Sequence, residues 1–260
     1  MDISLAIGLL VAFGSIGISV IMGGGDISGL VNIPSAIIVF GGSFGVAIVA
    51  YGLPQFLKAP KLIMLVIRQP QQDADTIITQ IVNLAEKARR EGLLSLEDEA
   101  EQITDPLLRK GLTVVIDGTD PEQVRSILEI DVANMGDRHE VGYKLMEEIG
   151  SYGPAMGITG TIMGLIAVLA NLGGDTAELG AGVAIAFLTT LYGVMMANLV
   201  FNPISRSLTQ KSNEEIRLKT MAIEGVMSIQ AGDNPRLIEE RLTGYLSPDA
   251  RSERAQGAEA

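Results

Sequence analysis

Hydrophobic and polar positions alternate in this chain first on the scale of whole segments. Four apolar stretches, 3–22, 33–53, 152–172 and 180–202, contain no Asp, Glu, Lys, Arg or His. At a rise of about 1.5 Å per residue, each can cross a hydrocarbon core about 30 Å thick. The polar segments 54–151 and 203–260 hold all 19 Lys and Arg of the chain. Because cytoplasmic loops collect positive charge, these segments are predicted to lie inside. The connections 23–32 and 173–179 carry only Asp26, Asp175 and Glu178 and are placed outside. The predicted fold is therefore all-α: a polytopic inner-membrane protein with four transmembrane helices, a helical cytoplasmic region, and both termini in the cytoplasm. Its divisions are 1–53 (first and second spans), 54–151 (cytoplasmic helical domain), 152–202 (third and fourth spans) and 203–260 (C-terminal helices and tail).

Within the polar segments the pattern changes period. Ile77, Ile78, Ile81, Val82, Leu84, Ala85 and Ala88 recur at helical spacing, and Gly92 is placed to stop that helix. Ser95-Leu96-Glu97-Asp98 reads as a capping box for the next one, with Asp where Glu is preferred. Asp105-Pro106 and Asp120-Pro121 each set a capping carboxylate before a helix-opening proline. No proline follows Pro121 until Pro154, so one helix is expected from about residue 121 into the third span. The fourth span is expected to pass Pro203 and continue to about Gln230, with a short helix opening at Asp233-Asn234-Pro235 and a frayed tail from Ser247.

Charge and composition narrow the function. Ion-driven work needs a titratable group at membrane depth, and the four spans have none. Any such carboxylate must come from a partner. The formal net charge of −12 argues against nucleic acid, and the absence of cysteine excludes disulfides and thiolate metal sites. Met1-Asp2 offers no basic region ahead of the first apolar run, so that run is expected to be retained as a span. There is no Gly-Lys pair for a phosphate loop, no second His beside His139, and no nucleophile with a base, so neither enzyme activity nor a cofactor is expected.

The spans are patterned too. Gly153, Gly157, Gly160 and Gly164 recur at helical spacing in the third, and Gly182, Ala186, Thr190, Gly193 and Ala197 form a comparable stripe in the fourth. Small faces let helix backbones approach where lipid gives no hydrophobic drive. The hydroxyls of Thr161, Thr189 and Thr190 are left with two readings: bonding the preceding turn of their own helix, or facing a partner helix to coordinate a desolvated ion.

Several of these motifs, taken in order, resemble one family. Gly153-Pro154-Ala155-Met156-Gly157-Ile158-Thr159-Gly160-Thr161, then Leu188-Thr189-Thr190-Leu191-Tyr192-Gly193 and Phe201-Asn202-Pro203-Ile204, are similar to the third and fourth spans of the flagellar motor stator A subunits, the MotA/PomA family. Ala88-Arg89-Arg90-Glu91-Gly92-Leu93-Leu94-Ser95-Leu96-Glu97 resembles that family's cytoplasmic signature. The resemblance implies a ring of five A subunits around two B subunits, each B subunit supplying a transmembrane aspartate, with ion passage turning the ring against the rotor protein FliG. Carried over residue by residue, Arg89, Arg90, Glu97, Asp98 and Glu99 become rotor contacts, Pro154 and Pro203 torque-coupling prolines, and Thr161, Thr189 and Thr190 ion-path threonines. The transported ion is Na+ or H+, with the threonines leaning to sodium. The alternative is an energiser of the ExbB/TolQ type, against which the four spans and the Arg89-to-Glu97 signature weigh. A membrane scaffold without ion function is the third class.

Overall fold

The structure is a computed structural model and describes residues 3–67, 73–173 and 176–258, among which every regular element is a helix. Along the chain these are α1 (Ile3–Met22), a 3-10 turn (Ile27–Leu30), α2 (Ile33–Ala36), a π turn (Ile37–Gly41), α3 (Gly42–Tyr51), α4 (Leu53–Phe56) and α5 (Ala59–Ile67). Then come α6 (Ala74–Glu91), a 3-10 turn (Leu93–Leu96), α7 (Glu97–Gln102), α8 (Pro106–Ile116) and α9 (Pro121–Ala170). Next are α10 (Thr176–Met195), a second π turn (Met196–Phe201), α11 (Asn202–Ala231), α12 (Pro235–Thr243) and α13 (Pro248–Ala258).

The chain forms two compact units. The first comprises Met1–Gln69 and His139–Gln210, the second Pro70–Arg138 and Lys211–Ala260. Among the described residues, three helical stretches are long and apolar enough to cross a membrane: Ile27–Tyr51, Pro121–Ala170 and Thr176–Ala231. Ile7–Met22 forms a shorter apolar stretch within α1. Of the charges assigned to the outer connections, Asp175 lies outside the described residues, Glu178 sits in the first turn of α10, and Asp26 caps the 3-10 turn by accepting from the backbone N–H of Ser28 at 3.1 Å. Its bonds to Ser28 hold the Asp26 carboxyl below the usual carboxylate range.

The first unit is built on apolar contacts. Val39, Val66, Leu145, Met146, Ile149 and Met196 are enclosed, and Phe44 packs between Phe56 at 5.6 Å and Phe201 at 6.1 Å between ring centroids. Its outward faces are apolar as well: Leu10, Val49 and Phe187 are 75%, 87% and 74% exposed. A surface of that kind is covered by lipid or by neighbouring subunits.

The second unit has a conventional core. Ile78, Ile81, Leu96, Leu112, Met221, Ile238 and Leu242 are enclosed where α6, α8, α11 and α12 meet. The helix starts follow the local chemistry read from sequence. Asp73 caps α6, Gly92 ends it at φ 86°, and Asp105 caps α8 by accepting from the N–H groups of Leu107 and Leu108, both at 3.0 Å. Asp105 is also ion-paired with Lys219 of α11, and both side chains are about nine-tenths buried.

Two local expectations fail. The Ser95-to-Asp98 box does not form, because Ser95 turns its hydroxyl back to the Gly92 carbonyl at 2.7 Å and α7 starts from Leu96 without a side-chain cap. The tail is not frayed either: α13 is tied down by Arg254, which pairs with Asp75 at 2.5 Å and Glu239 at 2.8 Å, and by Arg251, which donates to the carbonyls of Thr243, Gly244 and Leu246. Charged side chains meeting acids and open helix-end carbonyls supply what its apolar content does not.

Candidate functional site

The glycine stripe of α9 lies directly on α10. A side-chain carbon built at Gly153 would sit 2.7 Å from the Gly193 carbonyl oxygen, and one at Gly164 would sit 2.7 Å from that of Gly182. At Gly157 it would lie 3.0 Å from the Thr189 carbonyl, and at Gly160 it would run into the Thr189 side chain. The two backbones are therefore in van der Waals contact, a spacing that only small residues permit.

That close approach brings Thr161 and Thr190 together. Their hydroxyl oxygens are 2.5 Å apart, and Thr161 Oγ1 also lies 2.8 Å from the Ala186 carbonyl and 3.0 Å from that of Gly157. Each hydroxyl has one proton and two lone pairs. If one threonine donates to the other and the second donates to a carbonyl, lone pairs stay open to an incoming cation or water. Thr190 is exposed on the helix pair and Thr161 half-buried. Thr189 is not part of this pair: it is fully buried against Gly160, with its hydroxyl 2.8 Å from the Ile185 carbonyl and 3.1 Å from that of Ala186. All three hydroxyls reach a carbonyl of their own helix, Thr161 that of Gly157 at 3.0 Å and Thr190 that of Ala186 at 3.4 Å, but only Thr161 and Thr190 also meet across the α9–α10 contact.

The two prolines lie on one side of this pair, toward the end where Gly153 meets Gly193 and Gly150 meets Asn202. Pro154 sits inside α9, one residue beyond the Gly153–Gly193 contact. It supplies no N–H to the helix ladder. Gly150, whose carbonyl would have received that bond, packs against Phe201 and Asn202, so that a side-chain carbon there would lie 3.2 Å from Phe201 Cβ. Pro203 is the second residue of α11, two positions beyond the π turn Met196–Phe201, and the helix continues through it to Ala231. Wide turns of this kind absorb a disrupted hydrogen-bond ladder and recur at functional positions. Tyr192 adds an anchor that sequence reasoning missed: its hydroxyl accepts from the Asn32 N–H at 2.8 Å and donates to the Leu30 carbonyl, tying α10 to the turn before α2. A tyrosine in an apolar run carries no sequence signal for that contact.

The charged residues singled out in the second unit lie on one short stretch. Arg89 and Arg90 are exposed in the last turn of α6, and Arg90 pairs with Glu86 of the same helix at 3.5 Å. Glu97 and Asp98 are exposed in the first turn of α7. Glu99 differs from them, being half-buried and ion-paired with Lys87 of α6. The hydrogen bond from Lys87 holds the Glu99 carboxyl below its ordinary range, and the same bond raises the Lys87 ammonium. Lys87 and Lys219 carry no periodic or motif signal and were not recognisable as structural cations. Among the described residues no group of three or more His, Cys, Asp or Glu is placed to hold a metal ion.

Comparison with known proteins identifies the family. A family model described as the MotA/TolQ/ExbB proton channel family matches residues 99–221. Motility protein A of Borreliella burgdorferi is 42% identical over 253 residues, which is 97% of this chain and 97% of that protein. Chemotaxis protein PomA of Vibrio alginolyticus is 34% identical over 252 residues, 97% of this chain and 98% of the relative. Among solved structures, the flagellar MotAB stator complex from Bacillus subtilis contains a chain that superposes with a TM-score of 0.89 at 32% identity, covering 96% of this chain and 98% of that one.

Proposed function

The chain belongs to the motility protein A family, and from that premise we propose how it works as a stator subunit of the flagellar motor, forming with a B subunit an ion channel that turns an ion gradient into torque. The observation that carries the ion path is the Thr161–Thr190 hydroxyl pair on a glycine-packed helix pair, in spans that contain no ionisable side chain. The B subunit supplies the missing carboxylate, and the exposed Thr190 faces it. Hydroxyl oxygens suit a hard cation, so the transported ion is Na+, with H+ as the alternative outcome of a sodium series. Thr189 shapes the path from behind, by fixing the approach of α9 to α10.

The rest of the reading is the assembly. Four spans of the inner membrane, α1 among them, leave both termini in the cytoplasm, and five copies surround the B subunits. Pro154 and Pro203, beside Gly193 and the second π turn, are where displacement along the ion path passes into the long helices. Arg89, Arg90, Glu97 and Asp98 present both signs of charge to the rotor protein FliG, with Glu99 at the edge of that face. Complementary charges of this kind steer and register partners more than they hold them.

Charge reversal tests the reading. Arg90→Glu and Glu97→Lys, made singly, should each cut swimming or stator recruitment while the complex stays at normal membrane levels, and a compensating reversal on FliG should restore part of it. Unchanged motility in the double variant would leave these charges as an idle solvated face. Swimming speed across a sodium series at constant proton-motive force then identifies the ion.

A further inference from the structure

The exposed charges at 89–98 sit on a turn and a short helix that are anchored to the core by Leu93, Leu96, Ala100 and Ile103. Gly92, at φ 86°, opens the turn, and Leu94 is 74% exposed. The helix that carries Glu97 and Asp98 is only six residues long and starts without a side-chain cap. Helices so short have no stability of their own and take their position from tertiary ties. Here those ties are the burial of Leu96, Ala100 and Ile103, the donation from Arg109 of α8 to the Ile103 carbonyl at 2.9 Å, and one ion pair that reaches α6. Lys87 precedes Arg89 and Arg90 on α6, while Glu99 follows Glu97 and Asp98 on α7. The pair therefore closes the base of the loop that carries both sets of charges.

We propose that Lys87 and Glu99 are positioning residues, a clasp between α6 and α7 that fixes Arg89 and Arg90 relative to Glu97 and Asp98 and so sets the register of the rotor-facing charges. The inference rests on the rotor-face reading above and gives Glu99 a different role from its acidic neighbours. One carboxylate oxygen of Glu99 is engaged by Lys87, and the other is enclosed with no hydrogen-bond partner among the described residues. A carboxylate held in that way meets a rotor surface only by giving up the clasp. Glu97 and Asp98, two residues and one residue closer to Gly92 along the solvent side of the same turn, have no such constraint.

The test uses the full chain with its B subunit and three variants: Lys87→Met, Glu99→Gln, and the swap Lys87→Glu with Glu99→Lys. Hydrogen exchange at residues 92–98 of the purified complex reads the clasp, and swimming reads its consequence. An ion pair of this exposure is a modest constraint, so each single variant should speed exchange at 92–98 about two- to fivefold. Each should also slow swimming at normal membrane levels, and the swap should bring both readouts back toward the parent. Exchange that stays unchanged in Lys87→Met, or that the swap does not restore, overturns the proposal. Faster exchange with undiminished swimming, in a background where Arg90→Glu does abolish swimming, also overturns it, because the face then works without its clasp. If Arg90→Glu is equally without effect, the rotor-face reading has failed and the proposal falls with it.

Discussion

Thr189 and Thr190 are adjacent in sequence and opposite in environment. The hydroxyl of Thr189 is enclosed and bonds only carbonyls of its own helix, while that of Thr190 is exposed and, besides the Ala186 carbonyl at 3.4 Å, meets Thr161. Sequence spacing marked both, and only the rotation of α10 about its axis separates them. The separation has a measurable consequence. Contacts of a polar oxygen with a charged group are worth about 1.5–3 kcal/mol, so Thr190→Ala is expected to lower ion flux, and with it swimming speed, about tenfold or more at unchanged levels of the complex. Thr190→Ser keeps the oxygen and should be mild. Thr189→Val keeps the volume and loses only an own-helix bond, so it should swim nearly as the parent does. Normal torque and ion dependence in Thr190→Ala would make that residue a packing group only.

At the scale of elements, the helices that sequence reasoning located best are those whose signals are local. The α6 stripe, the Asp105 and Asp120 caps, the uninterrupted run from Pro121 and the passage of the chain through Pro203 all appear where the residues placed them. What was not legible depends on partners distant in sequence. The buried Lys219–Asp105 pair joins residues 114 apart, and Arg254 reaches Asp75 from 179 residues away. No window of the chain contains either pair. The π turns at Ile37–Gly41 and Met196–Phe201 insert a residue into otherwise ordinary apolar helix, which leaves no trace in composition. The glycine stripe falls between these cases: its spacing announced a close contact, but the partner helix did not show. The contact predicts a contrast between glycines. Gly153→Ala pushes a methyl into the Gly193 backbone, whereas Gly17→Ala meets nothing within 4 Å. Overpacking a tight interface costs about 1–3 kcal/mol, so the first variant should lower the thermal midpoint of the detergent-solubilised complex by several degrees and the second should leave it in place. Equal midpoints would mean that α9 and α10 can part without penalty.

For the molecule as a whole the open quantity is the number of crossings, and it turns on α1. This helix is 20 residues long, contains no charged residue, and ends in a turn capped by Asp26. If it crosses, 23–32 lies outside and the N-terminus inside; if it lies along the surface instead, 23–32 remains outside but the N-terminus joins it there. Since the chain has no cysteine of its own, introduced ones report without background. Ser28→Cys should react with an impermeant thiol reagent in intact cells, and Ser95→Cys should react only after the cells are opened. Those two results establish the side on which 54–151 lies, which the distribution of Lys and Arg assigns to the cytoplasm. They do not count crossings, because Ser28 is external under either arrangement. A protease-cleavable tag fused ahead of Met1 does: with four spans it survives external protease in intact cells and is removed only after lysis, whereas cleavage in intact cells would reduce the spans to the three stretches from Ile27 onward and put the N-terminus outside.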